Sequence, residues 1–473
     1  MKRLLLILIS LVCISINLTA QTEDNRIHVV GDSLLGKTIN GESIREVQGN
    51  VVMTQGAVKI TCDKAVQYLA RNEAELIGRV VVVQDSIIIK TARGYYFGDT
   101  KIAFSKVGIF LTDGHVNLNS KNGYYYFDEK RSYFYDDVKL SDSLSNISTN
   151  KLIYYDDEDK AVAVGNVQVS DTSSTIFADS LIHFRNTKIT FAFNNIRIYN
   201  PSNRLAIFGN RLEDDGVKNY SKITDKPFLV RIDTLSNGAL DTLIISSKML
   251  ESFDDSLKKL IATDSVKIVR NNFASVNGQT IFYQKNDQVQ TFKRESDLTP
   301  PLIWNEDSQL VGDSINIFMK ENRLDRMDIN ANASIITSNK DSVSRFDQLS
   351  GKKIKMFFDD KGLSRTEVNG NVLSIYYMYE KGEPNGLLKS SSEQAKIFFK
   401  DKSVADVKLY GKPVSEYHPE NIILGKEKDF TIPTFRIYSD KPTKENLLFK
   451  RKDILSYLMK DVQYYAGKLS TKK

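Results

Sequence analysis

The chain has 473 residues, 41% apolar and 26% charged, with a formal net charge of +6 at pH 7. That length supplies several cores or one extended core. Nine Lys or Arg against three Asp or Glu fall in residues 441–473, so the charge is a basic tail on a near-neutral body and gives no argument for a nucleic-acid groove.

Lys2 and Arg3 precede an apolar run from Leu4 to Leu18, and the small residue Ala20 stands before Gln21. This order predicts a secretory signal peptide over residues 1–20, cleaved after Ala20. The run is too short to be read as a membrane span. A lipoprotein site at Cys13 is the rival, but Val12 before it is bulky for such a site. With the signal removed only Cys62 remains, so an intrachain disulfide is excluded.

From residue 51 onward one pattern returns with a 29-residue period. Val51, Val80, Ile109, Val138, Val167 and Ile196 each follow a turn signal, and Met53, Val82, Leu111, Leu140, Val169 and Ile198 stand two positions later. Alternation of this kind predicts a short half-buried strand ending at a turn. Tyr68, Phe97, Tyr126, Tyr155 and Phe184 follow the first set at one constant offset, with Val66 two positions before Tyr68. Six copies in phase define a β-repeat region over residues 21–200, whose units gain their missing cover by stacking. The period fails between 201 and 245, where "PSNRL", "EDDG", "TDKPF" and "LSNGAL" predict an irregular insertion or connection. A looser second repeat region is expected over 246–430. A basic tail follows over 431–473, with apolar spacings of three and four that predict a helix over 444–465. The expected fold class is all-β: an elongated, solenoid-like stack of short strands with a short C-terminal helix.

The stretch "GNVVMTQGAVKITCDKAVQY" at 49–68 resembles the OstA/LptA family of periplasmic lipopolysaccharide-transport proteins. Gly49, Asn50, Val51, Thr54, Gln55, Gly56, Ile60 and Asp63 match its recurring pattern, while Cys62 replaces the usual alanine. Weaker copies are "GNVQV" and "FADSLIHF" within 165–184, and 369–399 is similar to longer OstA-like proteins. The resemblance implies a V-shaped β-jellyroll whose apolar interior shields the acyl chains of lipid A. It also implies a periplasmic location directed towards the outer membrane, and other lipopolysaccharide-transport envelope proteins, or further copies of the chain, as partners through edge strands. The lipid-groove candidates are then Val51, Met53, Val66, Tyr68, Val80, Val82, Phe97, Ile109, Leu111, Tyr126, Val138, Leu140, Tyr155, Val167, Val169, Phe184, Ile196 and Ile198. Of these, Val51, Met53, Val66 and Tyr68 are expected to share a face with their copies, the aromatic row facing the aliphatic rows across one trough. At about twice the length of the small bridge protein, the chain leaves its place in such a system open.

Other chemistries find little support in the sequence. Asp113, Asp142 and Asp171 recur in register, as the acids of a polysaccharide-cleaving β-helix would, yet they fall at turns where Asp binds its own backbone. The acidic runs at 156–160 and 358–362 lack the spacing of a calcium loop. His28, His115, His183 and His418 do not pair at metal-ligand spacing. The reading is therefore a non-enzymatic lipid carrier without cofactors, the alternative being a structural or adhesive β-solenoid with a closed core.

Overall fold

The computed structural model describes residues 28–451 except 144, 235–237, 239, 297, 322, 340–343, 402 and 450. The expected signal peptide and residues 452–465 of the expected helix lie outside the described residues. The chain divides into two compact units, residues 1–134 and 135–473. Both are all-β, and the described residues form 32 strands with only two short α-helices.

Consecutive strands pair antiparallel. In the first unit Glu42–Gln55 pairs with Val58–Tyr68, which pairs with Glu73–Gln84, which pairs with Ile87–Phe97. One 29-residue period is thus two strands and their two turns. The strands are longer than the alternation predicts, because the Gly-Asn signal lies inside a strand instead of opening one. Gly49 and Asn50 sit within Glu42–Gln55 and both adopt left-handed backbone, at φ of 75° and 45°. Gln48 faces Lys64 and Val51 faces Cys62, so two residues on one strand stand opposite Asp63 alone. This is a bulge, and it bends the strand into two arms.

The bend recurs at the repeat spacing. Gly78 and Arg79 form it in the first unit; Asp136 and Asp137, Gly165 and Asn166, and Asn194 and Asn195 form it in the second. Left-handed backbone costs an ordinary L-residue roughly 1–2 kcal/mol, and Gly, Asn and Asp bear it best. At the corner where Arg79 stands, a neighbour holds it: Arg79 donates from Nε and Nη2 to Asp63 Oδ1 at 2.9 and 2.6 Å.

The bend folds the two arms over a common interior. In the second unit Ile329 and Ile335 lie on opposite sides of the corner at Ala331 and Asn332. Both join one buried cluster with Ile354, Met356, Val368 and Val372.

Residues 201–245, expected to be irregular, contain the strands Leu205–Asp215, Tyr220–Thr224 and Phe228–Thr234 and the greater part of Leu240–Ser246. Here "TDKPF" is the corner itself, since Asp225 and Lys226 are the left-handed pair. The regular period is lost because the corners beginning at Asn194, Asp225 and Asp264 stand progressively further apart than those before them. "PSNRL" and "EDDG" fall instead at turns between paired strands.

After the last strand, Val414–His418, the chain runs on without strand structure to the helix Lys444–Leu448. Thr443 Oγ1 caps that helix by accepting from the Asn446 N–H at 3.1 Å.

Replacing a corner glycine tests the role of the bend. At Gly78, φ is +74° and a Cβ would lie 2.4 Å from Asp63 Oδ2. Gly78→Val is expected to lower stability by about 2 kcal/mol or more in denaturant unfolding. Gly36→Val, in open space, should change it by less than about 0.5 kcal/mol.

Candidate functional site

The 18 groove candidates divide between the two faces of the sheet. Val51, Met53, Val80, Val82, Ile109, Val138, Val167 and Ile196 are buried on the interior face. Leu111, Leu140, Val169 and Ile198 stand two residues further along the same faces and are half-buried. Val66, Tyr68, Phe97, Tyr126, Tyr155 and Phe184 belong to the opposite face, also half-buried.

The corner causes this division. Along Val58–Tyr68, Val58, Ile60 and Cys62 are buried at a spacing of two, but the next buried residue is Ala65, three positions on. The residue at the bulge shifts the alternation by one, so every position beyond it changes face. Val66 and Tyr68 consequently turn away from Val51 and Met53. Ser120 and Gly123, Thr149 and Leu152, and Ala178 and Leu181 repeat the three-residue step. This corrects the expectation that the aromatic row faces the aliphatic rows and lines one trough with them.

Turned outward, the aromatic residues cover one another. Tyr95 stacks on Phe104 with centroids 4.8 Å apart, and Phe104 on Tyr124 at 5.3 Å. Cations cap the rings: Arg71 lies 4.3 Å above Tyr68, Arg131 4.3 Å above Tyr126, and Lys160 4.7 Å above Tyr155. The ring faces are occupied by neighbours, which makes this row a stabilising ladder on the side away from the interior.

A second ladder escaped the sequence reading. Cys62, Thr91, Ser120 and Thr149 occupy the same place at four successive corners, and each donates to the backbone carbonyl two residues on. The distances run from 3.0 to 3.2 Å. Thr149 also reaches the carbonyls of Val164 and Gly165 on the adjacent strand, both at 3.1 Å. The replacement of the family's alanine by Cys62 fits this role, and burial pushes the Cys62 thiol up to about 11. Small residues with a donor, recurring at the repeat spacing, were the available signal. The Asp of the matched stretch and its copy in "FADSLIHF" have a role there too: Asp63 takes Arg79, and Asp179 Oδ2 takes Asn195 Nδ2 at 2.7 Å.

The registered acids bind backbone. Asp113 accepts from the N–H groups of His115 and Val116, Asp142 from Ser145, and Asp171 from Ser173 and Ser174. Those turn bonds hold Asp171 below the usual carboxylate range despite opposing desolvation. His183 Nδ1 lies 2.9 Å from Thr190 Oγ1, and burial lowers its pKa. No group of three or more potential metal ligands occurs among the described residues.

The interior of the first unit holds a cavity of about 30 Å³, lined by Val80, Val82, Ile89, Ile109 and Phe134 with Gly94 and Gly123. Ligand pockets commonly measure about 300–1,000 Å³, so this cavity is small beside them. The interior is not wholly apolar: Gln55 and Gln67 are buried, and the Tyr96 hydroxyl donates to Gln55 Oε1.

Edge strands carry exposed apolar side chains. Ser33–Ile39 pairs with Glu42–Gln55 and presents Leu34, Leu35 and Ile39 to solvent. In the second unit Ser403–Tyr410 and Val414–His418 both pair with Glu383–Lys400, leaving Val407, Tyr410, Val414 and Tyr417 exposed. Free edges of this kind are templates for further strand pairing. No described helix is long and apolar enough to cross a membrane.

The two cavity glycines separate packing from backbone effects. A Cβ on Gly94 would meet nothing closer than 3.5 Å, whereas on Gly123 it would lie 2.6 Å from Phe134 Cδ1. Gly94→Ala is expected to leave stability unchanged or raise it by up to about 1 kcal/mol. Gly123→Ala should lower it by roughly 1–3 kcal/mol through overpacking, both read from chemical unfolding midpoints.

Residues 29–113 and 149–246 match the OstA-like protein family. No curated protein matches the sequence. Among solved structures, the chain is similar to LptH of Pseudomonas aeruginosa, the LptA-homologous periplasmic component of the conserved lipopolysaccharide transport device. The two are 16% identical over 27% of this chain and 75% of that one, with a TM-score of 0.14, so the likeness is local. The sequence match stands on its own, and it reaches both compact units: the chain carries OstA-like sequence over residues 29–113 and 149–246.

Proposed function

We propose that this chain is a periplasmic, non-catalytic component of lipopolysaccharide transport towards the outer membrane, taking acyl chains between the arms of its bent strands. The observation that carries the reading is the OstA-like match over repeats whose interior positions are apolar in register. Keeping acyl chains from water is worth about 0.8 kcal/mol per CH₂, enough to favour a protein interior that parts to receive them. At the cavity beside Gly94 and Gly123 the arms would part to admit a chain, because that cavity is far smaller than an acyl chain. Edge strands with exposed apolar side chains would join the chain to other transport proteins or to further copies by strand addition.

A closed structural solenoid is the second reading, favoured by the dense packing around Val51, Met53 and Val80, each 1% exposed. Photo-crosslinking in cells decides between them. A photoreactive residue at Val82 or Ile109 should capture lipopolysaccharide, while one at Tyr68 or Tyr126, on the opposite face, should not. Equal capture at all four, or none at Val82 and Ile109 in a folded protein, would sink the carrier reading. Depletion of the chain should leave lipopolysaccharide at the inner membrane; normal surface display would count against transport.

A further inference from the structure

Stretches of the second unit's sheet are apolar on both faces. Leu229 and Ile245 join the interior cluster, while Phe228, Val230 and Ile244 join a separate cluster on the other face. Leu302 and Trp304 likewise leave Ile303 to the interior. The chain's own residues 419–451 cover this second face. Ile423 and Ile432 pack with Ile375, Tyr377 and Leu387; Tyr438 packs against Leu302 and Trp304; Leu448 packs with Phe208 and Ile244.

Polar anchors hold the cover in place. The buried Arg345 binds Glu420 at 2.5 Å and Glu427 at 3.5 Å. Gln348 accepts from the Ile432 N–H, and Gln309 from the Tyr438 N–H, both at 2.9 Å. Between those two anchors the chain turns, the Phe435 N–H donating to the Ile432 carbonyl at 2.9 Å. The outward side of the cover is therefore a fixed part of the protein surface.

That outward side has a distinctive composition. Beside the inward anchors stand exposed apolar residues: Ile422 and Leu424 flank Ile423, Ile437 precedes Tyr438, and Phe449 follows Leu448. Leu424 is 70% exposed and Phe449 75%. One such residue would be ordinary, but here they recur along a single segment with cations between them. Lys426, Lys428 and Lys444 are exposed, and no carboxylate pairs with them among the described residues. Elsewhere in this unit Lys160, Lys259 and Lys408 each face a carboxylate 2.9 to 3.4 Å away. With Glu420 and Glu427 engaged by Arg345, residues 419–451 keep three acids against seven Lys or Arg. Residues 452–473 add five Lys against two Asp.

We propose that the outward side of residues 422–449 is a membrane-contact surface that rests on a bilayer carrying anionic phospholipid headgroups. Apolar side chains interleaved with unpaired cations suit the lipid–water boundary, where the first enter the acyl region and the second meet phosphate. The apolar residues are spread along the cover, beside Ile375, Trp304 and Ile244 in turn, which suits an extended surface better than a single pocket. The positive balance supplies the charge complementarity. The proposal stands apart from the transport reading, since it concerns the face away from the interior.

The test uses the full chain and vesicles free of lipopolysaccharide, so its failure leaves the transport reading standing. In co-flotation at low salt the chain should bind vesicles of phosphatidylglycerol and phosphatidylcholine in equal parts at least tenfold more tightly than phosphatidylcholine alone. Lys426→Gln, Lys428→Gln and Lys444→Gln together should weaken that binding at least tenfold. Leu424→Ser, Ile437→Ser and Phe449→Ser together should do the same. Both variants alter exposed positions and should keep the unfolding midpoint of the unaltered chain. A charge-matched control, Lys59→Gln, Lys121→Gln and Lys267→Gln, removes exposed cations elsewhere and should change binding by less than about twofold. Binding that is absent, that ignores phosphatidylglycerol, that survives in either cover variant or that falls equally in the control would overturn the proposal. Self-association that the serine variant abolishes, without vesicle binding, would overturn it in favour of a second copy of the chain.

Discussion

The left-handed corner is the constraint on which the rest of the structure depends. Two consecutive residues with positive φ, facing a single residue on the next strand, bend strands such as Glu42–Gln55 and Lys160–Ser170 so that their arms can pack on each other. A flat antiparallel meander would expose one face of every hairpin to water. Bent at a fixed place, the same meander buries that face against itself, and each added hairpin extends the buried surface. The cost of left-handed backbone is limited by using Gly, Asn and Asp, and by partners such as Asp63 and Asp179 that hold the corner from the adjoining strand.

The corner also decides which side chains can line an interior. Because the facing strand passes it with one residue, alternation on that strand changes phase between Cys62 and Ala65. Aliphatic residues before the bulge and aromatic residues after it therefore lie on opposite sides of the sheet. The aromatic rings stabilise the stack from outside, stacked on one another and capped by Arg and Lys. Lining an interior falls to the aliphatic positions and to the small corner residues, whose hydroxyl and thiol donors are already engaged with backbone.

Much of this was legible in the sequence. The repeat spacing, the all-β class and the interior positions from Val51 to Ile196 follow from alternation alone, since period-two burial leaves a direct trace. The phase change was not legible, because a bulge adds no residue type of its own: "TCDKAV" reads as an unbroken strand until the pairing of Lys64 with Gln48 is known. Residues 201–245 were misread for the converse reason. Asp225 and Lys226 carry ordinary turn chemistry, and a corner inside a strand requires the same left-handed residues as a loop between strands. The runs "FLV" at 228–230 and "LIW" at 302–304 did carry a signal, since unbroken apolar runs mark strands covered on both faces. What covers them lies far away in sequence, in residues 419–451, and no local pattern announces it.

Burial on both faces gives the two units different physical options. In the described part of the second unit, parting the arms would act on strands held from inside by Ile329 and Ile354 and from outside by Tyr438 and Leu448. In the first unit the outward faces of Val52, Val81 and Ile88 remain half-exposed, and the interior already contains a void beside Gly94 and Gly123. A strand packed on one side loses fewer contacts when it moves than one packed on both. If any part of this chain opens to admit an acyl chain, packing favours the first unit, where the Gly-Asn corner at 49 and 50 stands at the start of the stack.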